Sequence, residues 1–180
     1  ALVGDYRQYI LFDPNPNKII RGNSLYTIVD GPSWTEAEEN AVKLGGHLAT
    51  VTDEIENNWI YQQYLPQASG NWIGLYQPSS GGPWIWSSGE ELTYTNWNEN
   101  EPNNSGGNED FVHIWGANNH NDYIPGTWND LSNSNPHERY SLMEGVAEIP
   151  FIRRGDSAYV IVEGPTWEEA ESNAVALGGH

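Results

Sequence analysis

Cysteine is absent from this 180-residue chain, and basic residues are scarce: 7 Lys and Arg stand against 25 Asp and Glu, for a formal net charge of −18. The missing cysteines exclude a disulfide scaffold and thiolate metal sites, and leave the compartment open. The negative surplus argues against a phosphate-tracking nucleic-acid groove and against binding to an anionic membrane surface. Cations and neutral molecules remain as natural small partners. No apolar run approaches the roughly 18 residues of a membrane span. The chain opens on Ala1 with no basic segment leading into an apolar one, so it reads as a processed protein or an excised fragment, compatible with a removed signal peptide. What is plentiful is aromatic: 9 Trp, 10 Tyr and 3 Phe provide core material that a disordered chain lacks. The length suits one domain, or one and a piece.

An internal repeat explains the extra piece. Gly22–His47 and Gly155–His180 are identical at 18 of 26 positions, at an offset of 133. The chain therefore ends inside a second copy of the unit that starts near Gly22. The complete unit is expected over residues 14–150, and residues 151–180 form the truncated start of the next. Residues 1–13 read either as the tail of a preceding copy or as an ordinary first strand; Gln8–Asp13 resembles Arg139–Glu144 in character.

The coarse pattern is α+β. Leu25–Val29 alternates and is β-branched, which predicts a strand. Ser33-Trp34-Thr35-Glu36 is a capping box, followed by Trp34, Ala37, Ala41 and Leu44 on one helical face and a Gly45-Gly46 stop. Thr166 and Glu169 repeat the box. Thr52 is expected to cap a second helix burying Ile55, Trp59 and Ile60. After Pro66 come short aromatic strands at Trp72–Leu75, Trp84–Trp86, Phe111–Trp115 and Tyr140–Met143. Helices first and strands later is an α+β order.

Residues 96–110, NWNENEPNNSGGNED, carry no core-forming periodicity. The plainer reading is a solvated loop. Three features favour chemistry. Carboxylates and amide carbonyls suit a hard cation, and a crowded oxygen cage suits Ca²⁺ better than Mg²⁺. Pro102 restrains Glu101 and itself, holding Glu101 and Asn103 in fixed relation. Trp128-Asn129-Asp130 adds an amide and a carboxylate beside an aromatic anchor. The spacing is not that of an EF-hand.

Taken together, these segments resemble the C-type lectin-like domain family. The resemblance rests on Leu44-Gly45-Gly46-His47-Leu48-Ala49-Thr50, Trp72-Ile73-Gly74-Leu75, Glu101-Pro102-Asn103 and Trp128-Asn129-Asp130, in family order. It covers about residues 22–150 and is closest in kind to cysteine-free, tandem-repeat members of bacterial type. It implies a fold of two helices with small antiparallel sheets, paired N- and C-terminal strands, and a long Ca²⁺-binding loop region. By resemblance Glu101, Asn103, Glu109, Asn129 and Asp130 hold both Ca²⁺ and sugar, Asp130 adding its backbone carbonyl, and the Glu101–Pro102 bond is cis. Glu-Pro-Asn implies mannose, glucose or fucose-type sugars with vicinal equatorial hydroxyls, an extracellular or cell-surface setting, and adhesion or glycan recognition.

The chain also departs from the family. Ala41, Phe111, Asn133 and Met143 stand where its cysteines are expected, and an insertion, Gly116–Gly126, reads as a hairpin tip. Gln77, Gly81 and Asn104 replace carboxylates of an auxiliary Ca²⁺ site, leaving only Asp110. His47 and His180 are equivalent repeat positions, and with His113, His120 and His137 they form no zinc set. Two other functions compete: a protein-binding or structural module of a surface adhesin, and a glycoside hydrolase using paired carboxylates. The hydrolase lacks a neutral general acid once the metal engages these groups, so no enzyme is expected. The apolar face of residues 155–180 is expected to dock on the complete unit or on another chain.

Overall fold

The computed structural model describes residues 2–5, 18–118, 123–133, 144–154 and 157–179. The expected strand at Tyr140–Met143, and His120 and His137, lie outside these residues.

Strands β1 (Leu2–Asp5), β2 (Ile19–Arg21) and β3 (Ser24–Val29) precede helix α1 (Trp34–Lys43). Ser33 caps the helix as expected, its Oγ accepting the Glu36 N–H, while the return bond runs from the Ser33 hydroxyl, not its backbone N–H, to Glu36 Oε2 at 2.6 Å. Trp34, Ala37 and Ala41 face the core. Strand β4 (His47–Leu48) leads to helix α2 (Glu54–Tyr64).

In α2 the expected cap moves by one residue, and of the expected face Ile60 and Trp59 turn to the core while Ile55 does not. Asp53, not Thr52, is the N-cap, accepting the Glu56 N–H at 2.8 Å. Ile55 is consequently 74% exposed, while Glu56, Asn57 and Ile60 are buried and Trp59 is half-buried. Two polar residues occupy the inner face because each is saturated there. Glu56 accepts from Arg21 (2.7 Å), the Tyr26 hydroxyl (2.9 Å) and both the N–H and hydroxyl of Thr52. Asn57 donates to the Gly126 carbonyl and accepts from Trp128 Nε1 at 2.7 Å.

The later strands are β5 (Gly70–Tyr76), β6 (Ile85–Trp86), β7 (Phe111–Trp115), β8 (Trp128–Leu131) and β9 (Gly145–Pro150). They join a sheet of order β2-β3-β9-β5-β7-β8, with β4 on β9 and β6 on β5. The paired terminal strands of the unit are β3 and β9, antiparallel from Ser24 opposite Pro150 to Val29 opposite Gly145. Only the β5–β9 contact is parallel among the named strand pairs. Core residues gather on both sides of this sheet: Ile60, Ile73, Trp86 and Trp128 in one cluster, Trp34, Leu48, Trp72 and Ala147 in another.

Three of the positions expected for cysteine are described. Ala41 is fully buried in the second cluster, and Phe111 packs on Trp34 with ring centroids 5.1 Å apart. Asn133 ties down the start of α1, its Oδ1 accepting from the Thr35 N–H (3.0 Å) and hydroxyl (2.7 Å). Packing and hydrogen bonds thus hold the places where the family would use cross-links. Met143 lies outside the described residues.

Beyond β9 the chain repeats its own beginning. Strands β10 (Ile152–Arg154) and β11 (Ser157–Val160) and helix α3 (Trp167–Ala176) correspond, at the repeat offset, to β2, β3 and α1. This segment docks on the complete unit. Ile149, Phe151, Val160, Ala174 and Leu177 share a core with Ile20, Leu25 and Leu44. The Glu163 N–H donates to the Lys43 carbonyl at 3.1 Å. Gly45, at φ +88°, has the Ile161 carbonyl so close that no Cβ would fit. The docking is partial: Trp34 is 5% exposed, whereas its equivalent Trp167 is 75% exposed.

Candidate functional site

The polar loop is pinned to β8 at its start. Trp128 donates its N–H to the Asn96 carbonyl at 2.8 Å, and the Asn98 N–H donates to the Trp128 carbonyl at 2.9 Å. The Asn98 side chain accepts from the Thr127 hydroxyl at 3.1 Å. Trp97, Trp86 and Tyr94 pack edge-on against the buried Trp128. Aromatic burial thereby positions a segment that has no apolar periodicity of its own.

Past this anchor the chain makes turns that asparagine tolerates. Asn100 and Asn104 have φ of 68° and 46°, and the Glu101–Pro102 bond is cis, as the resemblance implies. Asp130 is fully buried. Its carboxylate accepts the backbone N–H groups of Asn103 (3.0 Å) and Asn104 (2.8 Å). Asn104 Oδ1 accepts the Glu109 N–H at 3.0 Å, and Glu109 Oε2 accepts the Ser105 N–H at 2.6 Å. Asn129 sits opposite His113 in the β7–β8 register. Its Nδ2 donates to His113 Nε2 at 3.2 Å and to the Asp130 carbonyl at 2.5 Å.

The electrostatics are those of acceptors lacking a counter-charge. Glu101 is pushed up to about 7, first by burial, then by its hydrogen bond to Asp130 and that residue's charge, with Glu109 adding; Asn103 opposes the rise. Glu101 Oε2 and Asp110 Oδ1 are buried with no hydrogen-bond partner. His113 is pushed down to about 3 by burial. It is therefore neutral at pH 7, and its Nε2 is free to accept from Asn129.

Through Asp130 the structure links Glu101, Asn103 and Asn129, with Glu109 joined through Asn104. Among the described residues no three His, Asp or Glu side chains form a metal cluster by themselves. The donor set here mixes carboxylates with amides and a backbone carbonyl, and an orphaned buried carboxylate oxygen beside two further carboxylates suits a hard cation. Sequence reasoning missed Asn98, Asn104 and His113, and it missed that the Asp130 carboxylate is the loop's anchor. Only the Asn-rich composition carried a trace of this. At the positions where the family's auxiliary Ca²⁺ site has lost its carboxylates, the Gln77 side chain closes its own turn through Gly82 and Gly81, and Asn104 Oδ1 accepts the Glu109 N–H. The insertion is tied at both ends, Ala117 N–H to the Leu65 carbonyl and Gly126 N–H to that of Trp115, with Tyr123 stacked on Trp115 at 4.4 Å.

A family model described as "Lectin C-type domain" matches residues 30–138, well over half the chain. The chain belongs to the C-type lectin domain family. Among similar C-type lectin-domain proteins is a perlucin-like protein of Mytilus galloprovincialis, 30% identical over 118 residues, covering 63% of this chain and 71% of that protein. A ladderlectin of Oncorhynchus mykiss is 36% identical over 118 residues, covering 63% and 58%. A C-type lectin mannose-binding isoform of Oxyuranus scutellatus is 35% identical over 106 residues, covering 56% and 64%. The chain spans less than two thirds of the latter two. These relatives are animal proteins, and they lend no support to the expected bacterial type. The cow carbohydrate-recognition domain of CD23, solved in the presence of a GlcNAc2Man3 oligosaccharide, superposes with a TM-score of 0.62 at 25% identity, covering 78% of this chain and 98% of that one. A calcium-independent type II antifreeze protein shares the fold at a TM-score of 0.61 and 21% identity, covering 83% and 96%. C-type lectin domains are binding modules rather than enzymes. Among the described residues no helix is long and apolar enough to cross a membrane.

Proposed function

We propose that this C-type lectin domain is a calcium-dependent carbohydrate-binding module for neutral sugars with vicinal equatorial hydroxyls, of the mannose, glucose or fucose type. The observation that carries this reading is the binding of Asn103 and Asn104 to Asp130, which sets Glu101-Pro102-Asn103 beside Asn129-Asp130. Glu101, Asn103, Glu109 and Asn129 would hold Ca²⁺ through side-chain oxygens and Asp130 through its carbonyl. The ion supplies positive charge that lets an anionic surface accept sugar hydroxyl oxygens. Glu101 and Glu109 accept the hydroxyl protons, while the amide N–H groups of Asn103 donate to a remaining lone pair; both N–H groups of Asn129 are held by His113 and the Asp130 carbonyl. Bonds to the ionised acceptors are worth about 1.5–3 kcal/mol each. His113 orients Asn129 from beneath.

The setting is extracellular or cell-surface, in glycan recognition or adhesion, with repetition of the unit raising avidity. The chain is not an enzyme. The second reading, a protein-binding or structural module of an adhesin, draws on the fold shared with a calcium-independent antifreeze protein.

Binding to a mannose-rich glycan array with Ca²⁺ and with excess chelator tests the proposal. Retention that depends on Ca²⁺ and is displaced by free mannose supports it. Retention that persists in chelator sinks the calcium mechanism. A protein partner held in saturating monosaccharide supports the second reading.

A further inference from the structure

The insertion Gly116–Gly126 is longer than the roughly two to five residues that reverse a hairpin, and both of its stems are fixed. On the outgoing stem the N–H groups of Gly116, Ala117 and Asn118 donate to the carbonyls of Ser69, Leu65 and Ala68 at 2.9, 3.0 and 3.0 Å. On the returning stem the Gly126 carbonyl accepts two side-chain amides, Asn57 Nδ2 at 2.9 Å and Asn96 Nδ2 at 2.8 Å. Shortly before that carbonyl come Tyr123, half-buried, and Ile124, 60% exposed. Both are placed from the residues proposed to hold calcium. From Asn129, the Nδ2 donates to His113 Nε2 at 3.2 Å, His113 meets Trp115 edge-on at 4.3 Å, and Tyr123 lies flat on Trp115 at 4.4 Å with 7° between the planes. Trp115 follows His113 by two residues, about 7 Å along β7 and on the same face. From Glu101, the N–H donates to the Asn98 carbonyl at 3.1 Å, and Asn98 Oδ1 accepts the Ile124 N–H at 3.4 Å.

A single apolar side chain at a surface is ordinary. Here an aromatic ring is locked by stacking, an isoleucine stands next to it, and hydrogen bonds tie the pair to the polar loop. A hexopyranose with equatorial hydroxyls carries its C–H bonds on its two faces, and such a face suits an aromatic ring. Tyrosine gives a large, rigid contact area, and the Trp115 beneath it fixes the ring beforehand, so little freedom is lost on contact. A neutral sugar is also unopposed by the net charge of −18. Resting on the calcium-dependent sugar reading above, we propose that Tyr123 and Ile124 form a second sugar subsite, which takes the C–H face of the residue glycosidically linked to the hexose held at calcium. Tyr123 is the platform, and Ile124 closes its edge on the Asn98 side. A monosaccharide at the calcium does not reach this surface, so the subsite selects oligosaccharides over single sugars and discriminates among linkages.

The test titrates the full chain in Ca²⁺ with methyl α-mannoside and with the α-linked mannobioses by calorimetry. At least one mannobiose is expected to bind about fivefold or more tighter than methyl mannoside, beyond the factor of about two that a second mannose residue gives by number alone. Tyr123→Leu, which keeps an apolar cover on Trp115, and Ile124→Ser are each expected to bring that gain down to about twofold, with methyl mannoside affinity unchanged. Tyr123→Phe keeps the gain. A gain absent from the unaltered chain, or kept in both Tyr123→Leu and Ile124→Ser, overturns the subsite and leaves the calcium site standing. Failure of methyl mannoside to bind the unaltered chain in Ca²⁺ overturns the calcium reading and the subsite with it. A second measurement needs no variant. Nuclear Overhauser contacts between the Tyr123 ring protons and mannobiose C–H protons are expected in the complex, and none with methyl mannoside. Their absence from the mannobiose complex overturns the subsite.

Discussion

The Asp130 carboxylate reaches across 27 residues to take the Asn103 N–H at 3.0 Å, and the Asn104 N–H beside it at 2.8 Å. A fully buried acid on a strand thus fixes the backbone of the polar loop. Asp130→Ala is expected to destabilise the chain by about 2–3 kcal/mol, the scale of hydrogen bonds to a charged acceptor. Urea unfolding measures the loss, and amide exchange should accelerate at Asn103 and Asn104. Unchanged exchange there would remove the anchoring role.

Glu101 is the opposite case, a charge the metal-free fold does not compensate. Glu101→Gln is expected to leave thermal stability in chelator unchanged or higher, and to abolish the rise in Tm that added Ca²⁺ gives the unaltered chain. A variant that melts lower in chelator, yet still responds to Ca²⁺, would contradict the proposed site.

His113 accepts from Asn129 without facing solvent. His113→Phe keeps the ring and loses the acceptor. Partners of this kind, behind a metal ligand, typically change metal affinity by about 10–100-fold. Isothermal titration with Ca²⁺ is expected to show a loss in that range, with Trp near-ultraviolet circular dichroism preserved. Unaltered affinity would make His113 a packing residue only.

Asn57 joins α2 to the loop ahead of β8 by two buried hydrogen bonds. Asn57→Leu leaves Trp128 Nε1 without its partner, at about 1–3 kcal/mol for a buried group left unsatisfied, while the Gly126 carbonyl keeps the Asn96 side chain. Guanidinium unfolding checks the stability. Tryptophan emission should shift as Trp128 loosens.

Glu148 on β9 is raised above the ordinary carboxylate range, chiefly by burial, with the charge of Glu56 adding and the hydroxyls of Ser24 and Tyr26 opposing. A raised acid binds its proton more firmly folded than unfolded, so its contribution falls as pH rises from the ordinary carboxylate value through the raised one. Glu148→Gln should flatten that decline. Melting curves from pH 4 to pH 8 compare the slopes, and parallel slopes in the two chains would refute the assignment.

Local chemistry made much of this protein legible from residues alone. The Ser33–Glu36 box, the Trp34, Ala37 and Ala41 face, the strands around Trp72 and Phe111, and the repeat at Gly155 all follow from short-range pattern. The Glu101-Pro102-Asn103 and Trp128-Asn129-Asp130 motifs were visible as oxygen-rich segments, since carboxylates and amides announce their chemistry wherever they stand. What only tertiary structure decided is which polar groups satisfy one another. Pattern placed Ile55 inside and was silent on Glu56; Arg21, Tyr26 and Thr52 let Glu56 be buried by saturating it, and none of the three lies on its helix. The sequence could name Asp130 but not show that its carboxylate would hold Asn103 and Asn104. Periodicity reports a residue's neighbours along the chain, whereas burial of a charge is settled by partners brought in from elsewhere.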